Sequence, residues 1–197
     1  MTNLTRAVAF FALFLITISG CTPSTSAPND GPREITPKYQ ANLSTVYGFG
    51  SKIDLTKNVS LASDFSWKDS AGVLHSLNSL KGKVVLLNFW AIWCPYCIDE
   101  MPALQDIQNK EAADSVVVIG VSIDNGNNPF QDDLGFVQFK NFKYQMMLDV
   151  NQDVYKNYSQ QNAIPQSFLI DRQGVIQQYF NHEYAEKDYL AAIDAIK

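Results

Sequence analysis

The 197-residue chain is 46% hydrophobic and 12% aromatic, enough to fill one well-packed domain and too little for two comfortable ones. Lys plus Arg number 15 against 20 Asp plus Glu, a formal charge of -5, and the cations form no basic run. That excludes ordinary nucleic-acid binding, which draws its affinity from clustered Lys and Arg facing phosphates.

In chain order, the N-terminus comes first. Arg6 is the only charged side chain among the first twenty residues, and the apolar stretch "AVAFFALFLITI" follows it from Ala7 to Ile18. That is the length of a secretory signal core and falls short of the roughly 20 apolar residues a spanning helix needs. "ISGC", Ile18 to Cys21, resembles the lipobox of bacterial lipoproteins, which implies cleavage before Cys21 and lipidation of that cysteine; the plainer alternative is an ordinary signal peptide. Thr22 to Pro32 is rich in Pro, Ser, Thr, Asn and Gly without apolar periodicity, and reads as a flexible tether. Residues 33–58 suit either an extra strand or a partly ordered extension. The expected organisation is therefore a signal peptide over 1–20, a lipidated cysteine with tether and extension over 21–58, and a folded domain over 59–197.

Within that domain, "SLASDFSW" and "GVLHSL" predict a strand pair around the Asp69–Gly72 turn. "KGKVVLLNFW", Lys81 to Trp90, is a continuous apolar run of the kind that forms a strand buried on both faces. A helix from about Pro95 to Ala112 follows, then a second buried strand over Ser115 to Asp124. Phe130, Leu134 and Val137 recur at i, i+4 and i+7 and predict another helix. "QMMLD" reads as a short strand and "QDVYKNYSQQ" as a helix. "QSFLID" and "VIQQYF" form strands joined by the Arg172–Gly174 turn. The terminal "EKDYLAAIDAIK" is amphipathic through Leu190, Ile193 and Lys197, with Ile196 alongside. Strands alternating with helices, closing on a hairpin and a helix, give an α/β sandwich.

"FWAIWCPYCIDEMP", Phe89 to Pro102, carries the chemistry. Once Cys21 is lipidated, Cys94 and Cys97 are the only pair left in an oxidising or redox-managed compartment. A strand running into a helix through "WCPYC" puts Cys94 at the helix N-terminus, with Pro95 at the first helical position. Free N–H groups and the helix dipole favour an anion there, so the Cys94 thiolate is stabilised. Cys97 lies one turn on and on the same face, able to attack a mixed disulfide on Cys94. The motif is expected to face solvent. A structural zinc site would need four ligands, and only His75 and His182 remain, neither in partner spacing. "DVNQD", Asp149 to Asp153, begins like a calcium loop but has Val154 where Gly is needed and Gln160 in place of the closing Glu; it reads as a turn capping a helix.

From Val59 onward the sequence resembles the thioredoxin-fold proteins, and among them the TlpA/ResA-like family of exported thiol–disulfide oxidoreductases. "LKGKVVLLNFWAIWCPYCIDEMP" and "AIPQSFLID" carry the resemblance. It implies a thioredoxin-like three-layer sandwich with a central mixed sheet, an N-terminal strand pair and a helical insertion around Phe130–Asn141. It further implies a cis bond before Pro165 and Ile164 backbone groups offered to a substrate peptide. Asn88 stands where thioredoxin has its buried aspartate. Glu100 matches the acidic residue these proteins hold near the resolving cysteine, where it takes the proton from Cys97; the alternative is a solvated helix glutamate. Trp93, Pro95 and Tyr96 would join Ile164 and Pro165 in touching substrate.

The resemblance thus implies a membrane-anchored reductase of exported protein disulfides, with apocytochrome c as one family substrate. No organic cofactor, no metal and no nucleic acid would be involved, and a membrane thiol donor would recharge the dithiol. Two departures concern redox direction: "CPYC" looks like glutaredoxin, and Ile164 lacks the hydroxyl thioredoxin carries before its cis-proline. A thiol oxidase or isomerase is accordingly the alternative. A peroxiredoxin-like peroxidase would need Thr and Pro ahead of a single peroxidatic cysteine, which "NFWAIWC" does not supply. A copper-carrying module would need a nearby histidine ligand.

Overall fold

Seven consecutive buried residues, Val84–Trp90, make the central strand. The computed structural model describes residues 39–197 apart from 41 and 115, so the signal segment, Cys21 and the tether lie outside the described residues. The strands are β1 (Tyr39–Gln40), β2 (Leu43–Phe49), β3 (Phe65–Lys68), β4 (Leu74–Ser76), β5 (Val84–Trp90), β6 (Val116–Ser122), β7 (Gln145–Leu148), β8 (Gln166–Ile170) and β9 (Ile176–Phe180). They form one nine-stranded sheet in the order β4-β3-β2-β7-β6-β5-β8-β9, with β1 paired to β2. Pairing is parallel for β2–β7, β7–β6 and β6–β5 and antiparallel elsewhere, a mixed sheet as expected.

Four helices cover it: α1 (Pro95–Glu111), α2 (Pro129–Lys140), α3 (Asp153–Tyr158) and α4 (Glu186–Asp194). The two-residue alternation of β5 sorts them into layers. Phe89 points at Tyr155 and Tyr158 of α3, with ring centroids 5.7 and 5.6 Å away. Its neighbours Asn88 and Trp90 face the other way, toward Glu100 of α1 and Phe136 of α2. α4 packs on α1, so the sandwich is α3, sheet, and α1 with α2 and α4. Among the described residues no helix is long and apolar enough to cross a membrane.

Three expectations need correction. The sheet begins ahead of Val59, the extra-strand alternative for residues 33–58: β2 fills the gap between β3 and β7, because its edge pairs parallel with the short strand "QMML". The helical insertion therefore brings a strand with it, and β7 is what receives β2. In α4 the buried pair is Tyr189 and Ile193, spaced i, i+4, while Leu190 and Ile196 sit at the margin. Lys197 is not part of the apolar face but bridges Glu111 and Asp194.

Two glycines mark tight geometry. Gly174 has φ +86 and closes the β8–β9 turn, its N–H donating to the Asp171 carbonyl at 3.0 Å. Gly120 lies beneath Trp90 and Met146, where a Cβ would come within 2.7 Å of the Met146 sulfur. At the end of β7, Asp149 accepts N–H bonds from Asp153 (3.1 Å) and Tyr155 (2.8 Å), so "DVNQD" caps α3.

Candidate redox site

β5 delivers the chain to α1 through Ala91–Trp93, and α1 starts where Pro95 supplies a preset φ and no orphan N–H. Cys94 is the N-cap: its sulfur accepts the Cys97 backbone N–H at 3.2 Å, one of the donors a helix start leaves unpaired. The two sulfurs are bonded, 2.00 Å apart, with Cα atoms 5.3 Å apart. The Ile164–Pro165 bond is cis, and the Ile164 carbonyl oxygen lies 3.8 Å from the Cys94 sulfur.

The expectation that "CPYC" faces solvent holds for its neighbours and fails for its sulfurs. Cys94 is 4% exposed and Cys97 not at all, whereas Trp93 and Tyr96 are 62% and 61% exposed and Pro95 is exposed as well. A residue at the N-cap turns its side chain back over the first helical turn, so the flanking residues take the surface. Pro165 is buried and Ile164 half-buried beside the disulfide.

Beneath the pair the surroundings change character. Asn88 breaks the apolar run of β5 and is fully buried, so its amide must find partners or cost roughly 1–3 kcal/mol. Its Nδ2 donates to Glu100 Oε1 at 2.6 Å and to Ser167 Oγ at 2.9 Å. Glu100 is three residues past Cys97 on α1 and 3% exposed, not solvated. Tyr189 of α4 donates its hydroxyl to Glu100 Oε2 at 2.9 Å. Burial pushes the Glu100 carboxyl up to about 7, against the pull of these hydrogen bonds. A buried carboxyl that titrates near neutrality can hold or release a proton at working pH.

Trp93, Pro95 and Tyr96 thus flank Cys94 along the chain and the Ile164 carbonyl approaches its sulfur, while Glu100, one helical turn past Cys97, is bonded to Asn88. Ser167 and Tyr189 escaped sequence reading, since one sits in a strand's apolar run and the other passes for a core aromatic. His75, weighed as a metal ligand, is bonded instead to Asp69 at 2.8 Å and stacked on Trp67.

The sequence matches the AhpC/TSA family over residues 60–179, more than half of the chain. It is 31% identical to the thiol-disulfide oxidoreductase ResA of Bacillus cereus over 153 residues, covering 76% of this chain and 86% of that protein. The chain belongs to this family. A second relative, the thioredoxin-like protein YneN of Bacillus subtilis, is 35% identical over 59% of this chain and 66% of its own length. The crystal structure of StoA from Bacillus subtilis superimposes with a TM-score of 0.58 at 25% identity, covering 68% of this chain and 98% of that one. The sandwich is therefore thioredoxin-like, and the ResA-like chain is a thiol–disulfide oxidoreductase with its redox couple at Cys94 and Cys97.

Proposed function

We propose that this ResA-like oxidoreductase is a lipid-anchored reductase of the bacterial cell envelope that opens disulfides in exported proteins. Cys94 is the attacking thiol, Cys97 the resolving thiol and Glu100 the proton acceptor. The Cys94 thiolate attacks one sulfur of a substrate disulfide, and the other substrate sulfur leaves as a thiolate that takes a proton from solvent. Cys97 then gives its proton to the Glu100 carboxylate and attacks the Cys94 sulfur. The Cys94–Cys97 bond forms, the mixed disulfide breaks and the second substrate thiolate leaves. Two electrons have passed from the dithiol to the substrate.

The observation that carries this reading is the buried Glu100 carboxyl, raised to about 7 and set one helical turn beyond Cys97. A base that ionises near working pH is what the resolving step requires. The Cys97 N–H on the Cys94 sulfur supports the order of attack, because a donor there stabilises the Cys94 anion. Trp93, Pro95 and Tyr96 are exposed, and with the Ile164 backbone, turned by the buried Pro165, they would offer a substrate segment its contact surface.

Anchoring rests on the apolar stretch over Ala7 to Ile18 and on "ISGC", with Cys21 lipidated and the domain facing the periplasm or the outside. A membrane thiol donor returns the couple to the dithiol, and apocytochrome c, in cytochrome c maturation, is the substrate the family resemblance implies. Replacing Cys21 by Ser should abolish incorporation of labelled lipid; unchanged labelling would show the anchor is not there.

One observation favours a second reading: the "CPYC" dipeptide is glutaredoxin-like, and a more oxidising couple would suit a thiol oxidase. Equilibration of the Cys94/Cys97 couple in glutathione buffers decides. A potential at or below about -230 mV is expected for the reductase, and one near -120 mV would overturn it.

A further inference from the structure

Glu100, Asn88, Ser167 and Tyr189 are shut off from solvent, so every proton among them needs a partner within the group. Asn88 commits both amide hydrogens, one to Glu100 Oε1 and one to Ser167 Oγ. Tyr189 has a single hydroxyl hydrogen and two acceptors in reach, Glu100 Oε2 at 2.9 Å and Ser167 Oγ at 3.4 Å. An ionised Glu100 accepts from Asn88 and Tyr189 together. A protonated Glu100 keeps acceptor capacity but also carries a hydrogen that must itself be accepted. Asn88 presents only hydrogens on that side. The Tyr189 oxygen can accept, provided its own hydrogen turns to Ser167.

We propose that Tyr189 is the positioning residue of proton exchange at Glu100, donating to the carboxylate and, once Glu100 has taken the Cys97 proton, accepting from it while donating to Ser167. This rests on the reading of Glu100 as the proton acceptor of Cys97. The exchange breaks no covalent bond other than the one carrying the transferred proton; the Tyr189 hydroxyl only rotates. Both protonation states then keep partners for the Glu100 and Tyr189 hydrogens inside a buried site, which lets Glu100 cycle without reorganising the core; the buried Asn88 Oδ1 stands without a hydrogen-bond partner. Other groups set the background: Glu183 repels the carboxylate, the Tyr184 backbone N–H favours it, and Tyr144, just ahead of β7, feels its charge. On its own helix, Cys97 is the group it serves.

Two substitutions of nearly unchanged shape separate the roles. Tyr189→Phe removes a donor from the carboxylate and keeps the ring, so Glu100 should titrate higher, by about one pH unit. Ser167→Ala removes the acceptor needed by the protonated state, so Glu100 should titrate lower. Carboxyl titration is read by carbon NMR on the oxidised protein labelled at glutamate, with Glu100→Gln assigning the signal. Resolution is read by stopped flow with a coloured aromatic disulfide, which releases one thiolate on attack by Cys94 and the second on resolution by Cys97. The pH profile of the second phase should move upward in Tyr189→Phe, and Tyr189→Phe should leave that profile unmoved in the Glu100→Gln background. An unshifted Glu100 titration in Tyr189→Phe overturns the inference, as does an upward shift in Ser167→Ala. A Glu100 titration that shifts while the resolution profile stays put overturns the acceptor role of Glu100 itself, and with it the purpose assigned to Tyr189.

Discussion

The two sides of the disulfide are built on opposite principles. On the outer side, exposed Trp93, Pro95 and Tyr96 flank Cys94, whose sulfur, bonded to Cys97, accepts the Cys97 N–H and lies 3.8 Å from the Ile164 carbonyl oxygen. On the inner side, Cys97 has no exposure and the nearby polar groups are side chains bonded to one another over long sequence separations. If substrates dock there as proposed, the outer side specifies little of them beyond an apolar rim and a strand-like backbone. In the proposed mechanism the inner side handles protons, which calls for matched partners because an unmet buried donor or acceptor is costly. On the proposed roles of Cys94 and Cys97, attack and resolution, two steps of one exchange, fall to two environments.

The largest effect that could break this contrast comes from exchanging the cysteines' roles. Cys97→Ser should lose turnover altogether and accumulate discrete mixed disulfides on Cys94, seen on non-reducing gels of membrane fractions. Cys94→Ser should accumulate none, since Cys97 has no exposed surface. Adducts confined to Cys94→Ser would reverse the assignment.

A smaller effect tests the inner side alone. Glu100→Gln should slow resolution at neutral pH by roughly tenfold or more while leaving the first attack nearly intact, because general-base losses run to about 10²–10⁴ when the base is fully engaged. Stopped-flow phases for attack and resolution give both rates. Equal slowing of both would mean that Glu100 acts on the whole site and the two sides are not separate.

The smallest effect is on stability. Glu100 is raised from its ordinary 4.5 to about 7, so the folded protein binds the extra proton between those values. For an acid shifted upward, stability is full below the unfolded value, falls as pH rises toward 7 and stays lower above it. Asp133, buried beside Asp124 and pushed up to about 8, and Asp149, pushed up to about 6, act in the same direction. Glu100→Gln should therefore gain on the wild type between pH 5 and pH 8, by at most about 3 kcal/mol. Urea unfolding of the oxidised proteins at both pH values measures it. A constant difference would place the Glu100 ionisation elsewhere.

By itself the sequence determined the local chemistry: a cysteine at a helix start, a second cysteine one turn along, a proline preset at the first helical position, and two buried strands. These follow from spacing and from φ preferences that act over a few residues, so they leave readable periods and motifs. It also marked Glu100, by resemblance, without deciding whether that carboxyl met solvent. Only the tertiary structure decided that, since burial depends on α4 lying across α1, and α4 buries Tyr189 with Ile193 where the periodicity suggested Leu190 and Lys197 beside Ile193. Only the tertiary structure brought Asn88 to Ser167 across 79 positions and Tyr189 to Glu100 across 89. Such a hydrogen bond constrains single residues at arbitrary separation and imposes no repeat on either segment. Likewise β2 found its place because β7 had an open parallel edge, a property of the assembled sheet and of neither strand alone.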